Sequence, residues 1–330
     1  MPKAHIVGTG SSVPRRVLTN FDLETIVDTS DKWITRRTGI VERRICSSAE
    51  KEGTADLGAQ AALKAMEMAG IAPKDLDMIV VGTVTPDRQF PAAACMIQNQ
   101  LKAENAFAFD ISAGCSGFLY GLSLVNDTIR VGSCKNALVI GAERLSSITN
   151  WTDRGTCVLL ADGAGAVVVS ADTKKGGILS SHIQSDGSLW ELLYSSYGNS
   201  FVPEILSGLD TKPFYLKMEG NRLFKRAVEY LTAIAEKALK ENSLSCEDVA
   251  LLVPHQANIR IIQAVAKNLN ISMEKVFTNV EKYGNTSSAS IPIALDEANR
   301  QGLLKKDDYL LLIAFGAGLT WASSMIRWSI

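Results

Sequence analysis

Asp75-Leu76-Asp77-Met78-Ile79-Val80 and Asp248-Val249-Ala250-Leu251-Leu252-Val253 are one pattern written twice, with an offset of 173 residues from Asp75 to Asp248. In each copy a polar, acidic lead runs into a short apolar stretch, the signature of a buried strand. A helix-like segment precedes both. Thr54 can N-cap a helix carrying Leu57, Ala61, Leu63 and Met66 and stopping at Gly70, while Leu223, Phe224, Ala227, Val228, Leu231 and Ile234 form the second stripe. The register holds further along the chain: Ala137-Leu138-Val139-Ile140-Gly141 falls on Leu310-Leu311-Leu312-Ile313-Ala314, and Cys115-Ser116-Gly117 falls on Ser288-Ala289-Ser290. A constant offset over this span points to a duplication, and alternating helices and strands point to an α/β fold. The chain divides into two similar halves, residues 1–172 and 173–330.

Ligands of such sheets bind beyond the carboxyl ends of the strands, so the residues there are the candidates for chemistry. Cys115 lies in Phe109-Asp110-Ile111-Ser112-Ala113-Gly114-Cys115-Ser116-Gly117, a small-residue turn between an apolar run and a helix-like one. Unpartnered N–H groups and the macrodipole at a helix start favour a thiolate, so a lowered thiol pKa is expected if this cysteine is a nucleophile. The plain alternative is a buried, inert cysteine. Of three histidines, His5 and His182 sit in or at the end of apolar runs and read as structural, whereas His255 occupies a strand-to-helix turn at the position equivalent to Gly82. Asn285 belongs to a Gly-Asn pair that would serve as an ordinary turn, but it lies three residues before the counterpart of Cys115. The last loop, Phe315-Gly316-Ala317-Gly318, can aim a backbone N–H at an oxyanion or simply make a tight connection.

Composition bounds the class. The 330 residues are 46% hydrophobic, and 34 basic against 35 acidic side chains leave a net charge of -1, so nothing global favours nucleic acid or an anionic membrane. No apolar run is long enough for a signal core or a membrane span, and a cytoplasmic protein is expected. The six cysteines form no C-x-x-C pair and have no suitably spaced histidine, which argues against disulfides and a structural metal.

Taken together, Gly8-Thr9-Gly10, Thr29-Ser30-Asp31-Lys32-Trp33-Ile34, Arg37-Thr38-Gly39-Ile40, Phe90-Pro91, the Cys115 turn, Thr152-Asp153-Arg154-Gly155-Thr156, Pro254-His255-Gln256-Ala257-Asn258 and Gly284-Asn285-Thr286-Ser287 resemble the β-ketoacyl-acyl carrier protein synthase III family of the thiolase superfamily nearly end to end. The resemblance implies a thiolase-like fold of two pseudo-symmetric βαβαβαββ halves in five α-β-α-β-α layers. It also implies decarboxylative condensation of an acyl-coenzyme A primer with malonyl-acyl carrier protein, initiating fatty-acid synthesis. Cys115 is then the acyl acceptor, His255 and Asn285 donate to the malonyl thioester carbonyl, and the backbone N–H groups of Cys115 and Ala317 form the oxyanion hole. Thr29, Trp33, Arg37, Arg154, Gly220, Asn221 and Asn258 match positions along the coenzyme A and pantetheine path. Phe90, Leu145 and Leu160 match the acyl pocket, Phe90 reaching that of a neighbouring subunit in a homodimer. Lys225 and Arg260 are the expected contacts for an acidic acyl carrier protein. No metal or other cofactor is implied.

Two departures from the family pattern stand out. Leu160-Ala161-Asp162-Gly163 replaces a common Phe-Gly-Asp-Gly, so a longer or branched primer is expected to fit. Ala317 stands where three glycines commonly run, and a positive φ there would be strained. The segment from Gly187 to Met218, with Trp190, Tyr194, Tyr197, Phe201 and Phe214, either covers the acyl tunnel and contributes to a dimer surface or packs on the core as an insertion. A degradative thiolase would need a cysteine near the C-terminus, and an elongating synthase a second histidine where Asn285 stands. A synthase III relative of secondary metabolism retains the same triad, and a non-catalytic carrier-protein binder would have no need of it.

Overall fold

The computed structural model describes residues 2–47, 52–173, 176–195 and 215–330. In chain order the elements are β1 (Lys3–Ser12), β2 (Val17–Thr19), α1 (Asn20–Glu24), α2 (Asp31–Thr38), β3 (Glu42–Arg44), α3 (Thr54–Ala69), β4 (Met78–Gly82), α4 (Ala93–Leu101), β5 (Phe107–Ile111), α5 (Gly117–Arg130), β6 (Asn136–Arg144) and β7 (Asp162–Asp172). There follow β8 (Gly177–Ser185), β9 (Leu193–Ser195), β10 (Leu216–Met218), α6 (Gly220–Glu241), β11 (Val249–Pro254), α7 (Ile259–Asn268), α8 (Val280–Tyr283), α9 (Ser290–Arg300), β12 (Tyr309–Gly316) and β13 (Thr320–Arg327).

Two sheets share one plan. The first runs β1-β7-β6-β4-β5 and the second β8-β13-β12-β11, the latter extended only by a parallel bridge from Leu252 to Val276 where the first has all of β5. Strands β4, β5 and β6 are parallel, and β7 runs antiparallel to both of its neighbours, β6 and β1; β11 and β12 repeat the parallel pair, and β13 runs antiparallel to both β12 and β8.

The strands are apolar throughout because both faces are covered. Val80 and Val139 of the first sheet and Leu251 and Leu312 of the second face inward onto α5 and α9, where Leu122, Val125 and Leu295 complete one core. On the outer faces, Ile79 and Leu138 pack beneath α3 and α4, and Leu252 and Leu311 beneath α6 and α7. Five α-β-α-β-α layers result, as the family resemblance implies. Side-chain period two along each strand is what lets one run serve two cores.

Helix starts are less local than the sequence suggests. Thr54 is the first residue of α3 rather than its cap; Gly53 takes the cap position, and Asp87 accepts from the Thr54 and Ala55 N–H groups at 3.0 and 2.8 Å. Gly70 ends the helix at φ +64° as expected. A small satellite of α1, α2 and the β2-β3 ribbon is tied to the body by Arg43, fully buried, whose guanidinium donates to the Leu18 carbonyl, Asn20 Oδ1 and the Val158 carbonyl.

Candidate active site

A cavity of about 250 Å³ opens where the strand ends of the two halves meet, and it is lined by Cys115, His255, Asn285 and Ala317 among others. The chain leaves β5, turns at Gly114 with φ +55°, and presents Cys115 two residues before α5. Opposite, the β12-β13 turn carries Ala317. A Cβ on Gly114 would stand 2.5 Å from the Ala317 nitrogen, and one on Gly316 would strike the Cys115 backbone, so both glycines let the two turns touch main chain to main chain. The Thr320 hydroxyl donates to the Ala113 carbonyl at 2.8 Å, and Ser116 Oγ donates to the Thr320 carbonyl at 3.2 Å, fixing the contact. The backbones of Cys115 and Ala317 are therefore neighbours on the cavity floor. Ala317 avoids a positive φ; Gly318 takes φ +136° in its place, and the anticipated strain does not arise.

His255 extends the β11 ladder through its N–H to the Ile313 carbonyl at 2.8 Å. The residue is 5% exposed, with Nδ1 of its ring 2.6 Å from Ser290 Oγ. Burial with no acidic partner pushes the imidazole down to about 4, so it is neutral at physiological pH. Asn285 is gripped on both sides: its N–H donates to the Leu159 carbonyl at 2.8 Å and its carbonyl accepts from the Ala161 N–H at 2.9 Å. Its side-chain Oδ1 accepts the Ser287 N–H at 2.8 Å, which commits the oxygen and leaves Nδ2 as the free end of the amide.

The thiol departs from expectation. Burial pushes Cys115 up to about 12, the Ser287 hydroxyl draws it back in part, and the charge of Glu143 raises it further. Desolvation outweighs the helix start, and the resting group is a thiol. Glu143 is itself fully buried; its carboxylate accepts from the N–H groups of Val84 and Thr85 and from the Thr83 and Thr85 hydroxyls, and burial lifts it to about 7. It fastens the loop that puts Val84 on the cavity wall.

Leu145 and Leu160 line the cavity, joined from the second half by Phe224, Leu231 and Phe315, and Gly220 and Asn258 also border it. Leu193, Tyr194, Leu216 and Met218 of the β9-β10 ribbon also contribute, so the described part of the 187–218 segment covers this space; Tyr197, Phe201 and Phe214 lie outside the described residues. Phe90 stands apart, 81% exposed on a surface loop. Two guanidinium groups lie over the Trp33 ring, Arg37 at 5.2 Å and Arg154 at 5.0 Å from its centroid. The Thr29 hydroxyl is buried without a partner among the described residues, Asn258 caps α7 through Arg260 N–H, and Asn221 is exposed outside the cavity lining. Arg222 and Arg226 pair with Glu219 and Glu229, whereas no carboxylate pairs with Lys225 or Arg260 among the described residues; Arg260 lies over Phe224 at 5.8 Å. Among the described residues no group of three or more His, Cys, Asp or Glu is arranged to hold a metal ion.

Sequence reasoning missed Ser290 and Glu143, and quoted Ser287 only as the end of the Gly284-Asn285-Thr286-Ser287 motif, with no role. Ser290 was within reach, since it is the counterpart of Gly117 under the 173-residue offset.

Comparison with known proteins bears on the whole chain. The profile described as 3-oxoacyl-[acyl-carrier-protein (ACP)] synthase III matches residues 109–187, and that of its C-terminal part residues 239–328. A β-ketoacyl-[acyl-carrier-protein] synthase III of Caldanaerobacter subterraneus is 52% identical over 326 residues, covering 99% of this chain and 98% of its own. The crystal structure of 3-oxoacyl-[acyl-carrier-protein] synthase III from Aquifex aeolicus superposes with a TM-score of 0.92 at 48% identity, covering 99% of this chain and 100% of that one. The priming β-ketosynthase of the R1128 polyketide pathway has the same TM-score, 0.92, at 34% identity, over 99% of this chain and 96% of its own.

Proposed function

Because the chain belongs to the β-ketoacyl-[acyl-carrier-protein] synthase III family of condensing acyltransferases, we propose that Cys115, His255 and Asn285 divide the two half-reactions between the cavity's two sides. In the first, Cys115 Sγ attacks the acyl-coenzyme A carbonyl, the new thioester forms, and coenzyme A leaves with the thiol proton. The backbone N–H groups of Cys115 and Ala317 hold the oxyanion. In the second, the bond from the malonyl carbon to its carboxylate breaks, CO2 departs, and the electron pair moves onto the thioester oxygen as an enolate. His255 Nε2–H and Asn285 Nδ2–H hold that oxygen. The carbanion attacks the acyl group, the thiolate of Cys115 leaves and takes a proton from solvent to restore the thiol, and 3-oxoacyl-carrier protein is formed. No resident cofactor enters this scheme.

The single observation that carries the assignment is the pairing of a neutral, buried imidazole with an amide whose oxygen is already committed, both beside the one cysteine that lines the cavity among the described residues. An enolate needs hydrogen-bond donors that do not protonate its carbon, and neutral donors in an apolar site meet that need.

Further assignments follow from position. Trp33, Arg37 and Arg154 receive the adenine and phosphates of coenzyme A, with Thr29, Gly220, Asn221 and Asn258 along the pantetheine arm. Lys225 and Arg260, which have no carboxylate partner among the described residues, meet the carrier protein. Leu160 in place of a phenylalanine leaves room for a primer longer than acetyl. A second copy covers the open edge of β5, where Phe107 is 52% exposed, and takes up Phe90; Asp110 of β5 accepts from the Ala93 and Ala94 N–H groups, placing the two features side by side. The cytoplasm is the assigned compartment, supported by six free cysteines, and no helix of the described residues is long and apolar enough to cross a membrane.

Intact-mass analysis after incubation with a panel of acyl-coenzyme A thioesters tests the core of this reading. An acyl adduct on the wild type and none on Cys115→Ala is the expected result, and the strongest adduct ranks the primer. Acylation that survives the substitution refutes it.

A further inference from the structure

We infer that Ser290 is the positioning residue that fixes His255 as its Nε2–H tautomer, donating its hydroxyl proton to Nδ1. The inference rests on the proposed role of His255 and supplies the cause of its donor character.

Ser290 Oγ lies 2.6 Å from Nδ1 and also accepts the Gln256 N–H at 3.2 Å. One hydroxyl carries one proton. With a lone pair taken by Gln256, and no other acceptor for that proton among the described residues, the hydroxyl hydrogen points at Nδ1. The reverse assignment, Nδ1–H donating to Oγ, would leave a hydroxyl proton without an acceptor at a residue that is 2% exposed, a buried unsatisfied donor. Ring connectivity does the rest: a lone pair on Nδ1 puts the proton on Nε2, at the opposite edge of the ring, and His255 lines the cavity. A neutral partner also matters. A carboxylate in this place would favour the imidazolium, as in a serine-protease triad, and a charged ring would protonate an enolate.

The other half of the molecule holds the matching blank. Under the 173-residue offset His255 and Ser290 fall on Gly82 and Gly117. There the same strand end and the same helix start meet as bare backbone, and a Cβ on Gly117 would stand 3.0 Å from Gly82 Cα. In the second half the same contact of the duplicated frame carries two side chains, His255 and Ser290, hydrogen-bonded to each other.

Nitrogen chemical shifts of the imidazoles test this directly, because the chain has three histidines and His255→Ala assigns the signal. In the wild type at neutral pH the His255 proton is expected on Nε2. In Ser290→Ala a substantial share moves to Nδ1, CO2 release from malonyl-carrier protein falls roughly 10- to 100-fold, and acylation of Cys115 changes by less than about twofold. Ser290→Thr, which keeps the hydroxyl, restores tautomer and CO2 release together. A wild-type ring protonated on Nδ1 overturns the inference, and does so even if Ser290→Ala fails to fold; an unchanged tautomer in Ser290→Ala also overturns it. If instead His255→Ala releases CO2 at the wild-type rate, the proposed function of His255 fails while the tautomer result stands.

Discussion

Cys115-Ser116-Gly117 and Ser288-Ala289-Ser290 occupy equivalent turns, each leading into one of the two helices between the sheets, yet one borders a cavity and the other is sealed. Ser288 is 1% exposed, and its hydroxyl finds no hydrogen-bond partner among the described residues. Gly82 closes over it, since a Cβ there would stand 2.6 Å from Ser288 Oγ and 2.5 Å from the Gly117 carbonyl carbon. Around Cys115 the strand end opposite carries His255, and space remains. A duplicated frame therefore offers two sites, and the residue at the facing strand end decides which one is open. Where the first half uses glycine to bring backbones together, the second half places a side chain.

The contrast is sharpened first by removing what makes the open site different. His255→Ala and Asn285→Ala are each expected to slow CO2 release from malonyl-carrier protein about 10²- to 10³-fold while Cys115 still acylates; a loss confined to acylation would assign them otherwise. For the wild type the same half-reaction is expected to fall as pH drops through about 4, where His255 protonates and can no longer accept from Ser290, a step separate from any change near 7, where Glu143 takes up its proton. A His255 ring-nitrogen shift that titrates near 6.5 would mean an unburied imidazole.

Next in size is an attack on the sealed site. Gly82→Ala forces a methyl into backbone and is expected to cost about 2 to 3 kcal/mol of stability by chemical denaturation, and a neutral result would mean that the two helix starts are not in contact. Smaller is the effect of Leu160→Phe, which narrows the cavity and should shift primer preference toward acetyl over longer chains about tenfold in kcat/KM. Smallest is the transplanted thiol. Cys115→Ala combined with Ser288→Cys should gain no acyl mass at all, and any adduct on residue 288 would break the comparison.

The fold was legible because its evidence is repetition: the 173-residue offset survives in Met78 and Leu251, in Ala137 and Leu310, and in Gly117 and Ser290, each pair lying in the corresponding element. His255 was legible because it alone of the three histidines occupies a strand-to-helix turn, at the carboxyl end of a strand where ligands of such sheets bind. Less visible were effects that need distance in space. Asp87 caps α3 from 33 residues away, and Glu143, one residue before the end of β6, takes its hydrogen bonds from the distant loop of Thr83, Val84 and Thr85. The acidity of Cys115 reversed because a local rule about helix starts says nothing of how deeply the turn is buried. The family resemblance supplied the roles of Asn285 and Trp33, whose residue types in sequence read more readily as a turn and a core aromatic.

The two backbone bonds that clasp Asn285 have a consequence for how such an enzyme changes. Its partners, Leu159 and Ala161, flank Leu160, so the wall proposed to measure the primer and the amide proposed to hold the enolate are consecutive parts of one parallel bridge. On those proposed roles, primer choice and condensation are heritable as a unit: a substitution selected to admit a new acyl chain at residue 160 is expected to shift the group that serves the next step. Diversification of the primer is expected to be paired with compensating changes around residues 283–287, and a laboratory redesign that alters only the pocket should lose turnover before it loses acylation.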